Sequence, residues 1–301
     1  MSLCASASRT AVFAAALLSA AAFAQTAPQP ADGVAVGAQY DTTHVYISPA
    51  SFDAFVKSFV ATFGGNAAQK STANVLPVPG RTETQYVWTP AGALSVFGFE
   101  TPIPVPFGQE RTGYLVTNMD DAIKAARASG AEVLVVPFQD PIGRDAVIQW
   151  DGGVKTQLYW HFTPRSIQPF AAIPDNRVYV SPDRAARFVK EFLLFSHGKV
   201  VSDDPHADAG EIGRPGEFYR SIRIESRFGR MLILVTDGHL PYPFGHETTG
   251  YAVADLDTTL AKAKEAGVTI LVPAYSSGDL RSAMVEFPGG YIAEIHGSMK
   301  P

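Results

Sequence analysis

Two rhythms of apolar and polar residues alternate along this chain. Phe52, Phe55, Val56, Phe59, Val60 and Phe63 fall at the i, i+3, i+4, i+7, i+8 and i+11 spacing of a single helical face. On either side, HVYIS from His44 and the run ending GALSVFGFE carry the two-residue or unbroken apolar character of strands. The same succession returns downstream. RVYVSPDRAARFVKEFLLFSHG from Arg177 matches HVYISPASFDAFVKSFVATFGG from His44 at an offset of 133, with Phe188, Val189 and Phe192 in place of Phe55, Val56 and Phe59. This copy ends in a second apolar run, GRMLILVTDG.

A different unit follows each of these. PVPFGQERTGY from Pro104 and PYPFGHETTGY from Pro241 share eight of eleven positions, and the match continues at an offset of 137. Each copy has a short apolar run, an Asx-rich start with Asp120 or Asp257 in the first helical turn, an Ala/Lys-rich helix and a closing Gly130 or Gly267. Each then predicts a strand and a hairpin turned on Gly152-Gly153 or Gly289-Gly290. An internal repeat of this kind decides the fold before any single residue does. The chain reads as α+β, four strand–helix–strand–strand–strand (βαβββ) modules in the order A-B-A′-B′, in two tandem halves. The first half covers 39–163 and the second 176–301. Residues 164–175, with three prolines in PRSIQPFAAIPD, form the linker.

Residues 1–24 stand outside this pattern. One charge, Arg9, precedes the Ala-rich run AVFAAALLSAAAFA, and Ala22-Phe23-Ala24 offers a small-x-small cleavage site. That layout predicts a secretory signal peptide, hence a periplasmic or secreted protein with no membrane contact after cleavage. Residues 25–38 predict a flexible leader. The one cysteine, Cys4, would leave with the signal, so the mature chain has no disulfide, thiol nucleophile or thiolate ligand. With 24 Lys and Arg against 29 Asp and Glu, the formal charge is −5. No basic patch offsets this acidity, which argues against nucleic acid as a partner.

The module order, the H-V-x-I opening at His44, GYAVADLD from Gly250 and PGGYIAEI from Pro288 resemble the vicinal oxygen chelate superfamily. That superfamily includes glyoxalase I, bleomycin-resistance proteins and extradiol dioxygenases. The resemblance implies that two modules pair into a curled sheet, and that a divalent metal in the cup chelates two neighbouring oxygens of a small substrate. Ligands are implied at the first strand and the last strand of each module. These positions hold His44 and Val96 in A, Arg111 and Gln157 in B, Arg177 and Ile233 in A′, and Thr248 and Glu294 in B′.

Neither half alone offers three ligands, because arginine stays protonated and has no lone pair to give. Two arrangements remain open. If A pairs with B′, His44, Glu294 and His246 form a two-His, one-carboxylate set for Zn²⁺, Ni²⁺, Fe²⁺ or Mn²⁺. If there is no metal, Arg177 faces Glu294 in its place, and Arg111 and Arg177 read an anionic ligand in a pocket with Tyr46 and Gln157. Alternation puts His296 on the face of Glu294, as a ligand, general base or proton shuttle.

Glu110 and Glu247, repeated in both copies, read as structural partners of a loop. The acids of VSDDPHADAGEIGRPGE read as solvated. The resemblance implies a glyoxalase-like lyase or isomerase acting by Lewis-acid stabilisation of an enediolate. An extradiol-type dioxygenase, a metal-free binding protein and a scaffold with filled cups are the alternatives. The expected partner is a small molecule, with a homodimer left open.

Overall fold

The computed structural model of the protein describes residues 33–37, 43–163, 172–277 and 279–299. The expected signal segment, and most of the expected leader and linker, lie outside the described residues. Module A comprises β1 (Thr43–Tyr46), α1 (Phe52–Phe63), β2 (Asn66–Ala67), β3 (Ser71–Ala73), β4 (Thr82–Thr89) and β5 (Gly92–Phe99). Module B has β6 (Thr112–Leu115), α2 (Met119–Ser129), β7 (Glu132–Gln139), β8 (Gly143–Gln149) and β9 (Lys155–His161). Module A′ has β10 (Asp175–Val180), α3 (Pro182–Ser196), β11 (Lys199–Asp208), β12 (Phe218–Ser226) and β13 (Gly229–Val235). Module B′ has β14 (Thr248–Ala252), α4 (Leu256–Glu265), β15 (Thr269–Ser277), β16 (Leu280–Phe287) and β17 (Tyr291–Ser298).

The strands form two sheets of like topology, one per half. The first runs β2-β4-β5-β1-β6-β9-β8-β7, with β3 also on β4, and the second β11-β12-β13-β10-β14-β17-β16-β15. In each sheet the opening strands of two modules meet at the centre, antiparallel, with Thr43 opposite Thr112 and Arg177 opposite Thr248. Module A therefore pairs with B, and A′ with B′. This overturns the arrangement in which A and B′ share a cup.

A does meet B′, but back to back. Phe52, Phe55 and Phe59 of α1 are fully buried in one core with Tyr251, Leu256, Leu260, Phe287 and Ile295 of B′. The second core joins B to A′, with Met119, Ile123, Trp150 and Tyr114 against Phe188, Phe192, Phe195 and Phe228. The aromatic stripe on α1 drives the contact between A and B′, since fully burying one such side chain contributes about 2–3 kcal/mol. The convex faces and helices thus fill the interior, and each sheet turns its other face outward as a cup.

Local chemistry sets the ends of the elements. Asn118 Oδ1 accepts the amides of Asp120 and Asp121 at the start of α2, and Asp255 Oδ1 accepts that of Thr258 at the start of α4. Val34, Ala35 and Val36, inside the expected leader, pair with the C-terminal end of β6: the Val36 amide donates to the Leu115 carbonyl, and Ala35 is buried.

Candidate functional site

The pleat decides which side chains enter each cup. In the first sheet the cup face carries His44 and Tyr46 of β1, Ser95, Phe97 and Phe99 of β5, and Gln157, Tyr159 and His161 of β9. These residues, with Tyr86, Phe107 and Asp145, line a cavity of about 330 Å³. Val96 is not among them. It is fully buried in the helix-side core, and Ser95 stands opposite His44 instead. Ile233 is likewise in the helix-side core, with Leu232 opposite Arg177. The expected ligand register of β5 and β13 is thus one residue out, which turns the side chain to the other face.

His44 is 2 % exposed and packs edge-on against the Phe97 ring. Its Nδ1 lies 3.9 Å from Oε1 of Glu110, which is fully buried at the end of the first crossover. The Tyr46 hydroxyl donates to that same Oε1, and burial first, then the Glu110 charge, holds the phenol well above its ordinary value. His44 Nδ1 and Glu110 Oε2 are both buried without a hydrogen-bond partner. Two such orphans side by side are costly unless something else satisfies them. Glu110, read from sequence as a loop residue, is therefore a buried partner of Tyr46 and neighbour of His44, two residues of the first cup, though it does not itself line the cavity. Its copy Glu247 does a different job. It accepts from Thr112 across the seam between the halves, and burial pushes its carboxyl up to about 8.

The second cup is filled where the first is open. Arg177 is the repeat equivalent of His44 and is 4 % exposed. Its guanidinium lies 4.0 Å from Glu294 Oε2 and 3.5 Å from Glu211 Oε1. Glu211 sits on a short 3-10 helix, Ala209–Ile212, and takes a 2.5 Å hydrogen bond from the Tyr219 hydroxyl. The polar segment expected as a solvated loop thus folds as β11 and this helix, and one of its acids is a buried partner of Arg177.

Glu294 is fully buried and meets His296 Nδ1 at 2.8 Å. Burial alone would raise the Glu294 carboxyl, but Arg177 and His296 hold it below its ordinary range. Burial lowers His296, while Glu294 and Asp175 more than reverse this and raise it. His296 does share the face of Glu294, as the alternation predicts.

The remaining expected residues do not join a common set. His44 and Glu294 belong to different sheets. His246 is exposed on the second crossover, where its titration feels burial and Arg111 rather than Glu294. Arg111 is partly buried at the start of β6, close enough for its charge to act on Tyr46 and Glu247, and is not among the residues lining the cavity.

In both cups the position beside the first-strand residue is glycine. A Cβ at Gly113 would stand 2.5 Å from His44 Nε2, and one at Gly250 would stand 2.7 Å from Glu294 Oε2. The missing side chain gives His44 and Glu294 their space and also removes a donor. His44 and Glu110, with neutral Ser95 and Gln157, do not make a set for Zn²⁺, Ni²⁺, Fe²⁺ or Mn²⁺. In the second cup a guanidinium occupies the centre. Among the described residues no cluster of three or more His, Cys, Asp or Glu has the geometry to hold a metal ion.

No family model and no curated protein matches the chain. Solved structures do match it over most of its length. A mutant of 4-hydroxymandelate synthase from Streptomyces coelicolor is 12% identical with a TM-score of 0.56, covering 88% of this chain and 94% of its own. A 2,2',3-trihydroxybiphenyl 1,2-dioxygenase from Sphingomonas wittichii strain RW1 is 12% identical with a TM-score of 0.53, covering 87% and 91%. The Mn(II)-bound glyoxalase from Novosphingobium aromaticivorans is 14% identical with a TM-score of 0.50, covering 89% and 84%. Likeness at such identities speaks for architecture and not for chemistry. The chain has the tandem βαβββ fold of the vicinal oxygen chelate superfamily.

Proposed function

We propose that this protein binds a small, flat, hydroxyl-bearing molecule in the first cup, and that it does so without a metal. The observation that carries this reading is the orphaned Nδ1 of His44, a residue of the aromatic-lined cavity, beside the buried Glu110 carboxylate whose Oε2 is also unpartnered. Two vicinal hydroxyls match this wall, one exchanging a hydrogen bond with His44 and the other meeting the Tyr46 hydroxyl, with Glu110 holding both side chains from the buried side. Phe97, Phe99, Tyr46 and Tyr159 supply ring faces and edges for the body of the ligand. The role resembles that of the drug-sequestering members more than that of the metal-dependent lyases, isomerases and dioxygenases. It acts at the periplasmic or secreted location that the Ala-rich leader supports.

Catechol, uncharged at pH 7, is a direct probe. Titration calorimetry is expected to show saturable binding that survives dialysis against EDTA. His44→Ala and Glu110→Gln are each expected to weaken it by about ten-fold or more. Binding lost on EDTA treatment and restored by Zn²⁺, Ni²⁺, Fe²⁺ or Mn²⁺ would overturn the metal-free reading in favour of the metal-dependent enzyme. N-terminal sequencing of protein recovered from a periplasmic extract is expected to begin at Gln25.

A further inference from the structure

The second cup is blocked at its centre, yet one end of it is open. The Arg177–Glu211–Glu294 cluster and the 3-10 helix, packed by Tyr219 and Leu234, fill one side. One step along the strands in the other direction lies a separate cavity of about 310 Å³. Its polar lining is Asp175, Arg223, Glu225, Arg230, His296 and Ser298.

The charges around this cavity do not balance. Arg230 is engaged with Asp175 at 2.7 Å, and Glu225 with Lys199 at 3.7 Å. His296 is tied through Nδ1 to Glu294, and its Nε2 is 3.9 Å from Asp175, beyond hydrogen-bond reach. Arg223 has no carboxylate partner among the described residues. It stands on β12 between Ser202 of β11 and Leu232 of β13, half-buried at the cavity wall. An unpaired guanidinium at the wall of a cleft is a ready anchor for a planar oxyanion, which it meets with two parallel N–H donors. Leu232 beside it and Leu280 on β16 add an apolar surface suited to a short hydrocarbon body, and Ser298 adds a hydroxyl to the lining. The volume is at the lower end of the range for ligand pockets.

We propose that this open end of the second cup is a binding site for a small carboxylate with a short apolar body, distinct from the first cup and anchored on Arg223. The site does not depend on the catechol-type reading of the first cup, because the two share no residue.

Benzoate and its uncharged counterpart benzamide are the probes, titrated into the full mature chain by calorimetry. Benzoate is expected to bind saturably and benzamide about ten-fold more weakly or worse. Arg223→Gln is expected to raise the benzoate Kd by about ten-fold or more, and Arg223→Lys by only about three-fold, since the charge remains while the bidentate fork is lost. Leu280→Trp fills the cavity from the other wall and is expected to abolish binding independently of the arginine. Equal affinity for benzoate and benzamide, an unchanged Kd in Arg223→Gln, or no saturable benzoate binding at millimolar concentration would overturn the proposal. Failure of catechol to bind, with these benzoate results intact, would count against the first-cup reading alone.

Discussion

The two cups are copies of one design that have solved the same problem in opposite ways. A curled sheet with its concave face outward leaves a hollow between its central strands, and something must occupy it. In the first half, His44 lines the hollow with Glu110 buried beside it and leaves it open, with two polar atoms unsatisfied. In the second, Arg177 replaces the histidine, and two carboxylates from different elements close on it. The lesson is electrostatic. A fixed guanidinium must have buried counter-charges, so the chain recruits Glu211 from a segment whose first-half counterpart, residues 64–81, carries no acid. A histidine makes no such demand and leaves room for a ligand.

Removing the arginine should separate the cups most sharply. Arg177→Met strands Glu211 and Glu294 in a buried site, and is expected to cost about 3–5 kcal/mol in urea unfolding. Adding Glu211→Gln and Glu294→Gln should return most of it, because the stranded charges are then gone. His44→Ala opens onto an existing cavity and should cost about 1 kcal/mol or less. If Arg177→Met were no more destabilising than His44→Ala, the second cup would not be held by charge.

Glu247 should give the next largest effect. Its carboxyl titrates near 8 in the fold and near 4.5 when unfolded. The folded state therefore keeps a proton that the unfolded state releases between those values, and stability falls as pH rises through this window. The loss is expected to be about 2–4 kcal/mol between pH 5 and pH 8. Glu247→Gln should remove most of the slope. His296 acts in the same direction: its raised pKa gives stability that is complete below the unfolded value and is lost as pH rises through the folded one. A residual slope in Glu247→Gln that disappears in Glu247→Gln/His296→Gln would assign it.

The glycines provide a smaller and more local contrast. Gly113→Ala and Gly250→Ala each place a methyl against a buried polar side chain, at an expected cost of about 1–3 kcal/mol. Gly113→Ala should also weaken catechol binding by displacing His44. Gly250→Ala presses on Glu294 and Arg177, both of the second cup, and should leave catechol affinity unchanged.

The modular plan was open to reading from sequence because helices and turns carry their marks locally. The Phe52-to-Phe63 stripe, the Asn118 and Asp255 caps and the Gly-Gly turns need no tertiary context. His44, Tyr46 and Gln157 fell on one cup, and His296 on the face of Glu294, because their strands carry polar residues that fix the parity. The β13 run, GRMLILV, is buried on both faces from Met231 onward, and the β5 run, GALSVFGF, turns Phe97 and Phe99 to the cup with Ser95 as its single polar side chain, so counting along these apolar runs puts Val96 and Ile233 on the wrong side. Module pairing depends on which opening strands meet, a long-range fact that repeat counting does not contain. Glu211 was missed because a polar stretch predicts solvent. A buried Arg177 facing a single carboxylate could have signalled that a second acid was owed to it. Glu110 and Glu247 show the limit of reasoning from a repeat, since identical motifs ended in unlike surroundings.

Crystals soaked with catechol and with Mn²⁺, and recorded at a wavelength where manganese scatters anomalously, test the central contrast most directly. Catechol density is expected in the first cup against His44 and Tyr46, with Arg177 still lying between Glu211 and Glu294. No anomalous peak is expected in either cup. A manganese peak beside His44 or Glu294, or catechol seated where Arg177 now lies, would contradict that contrast.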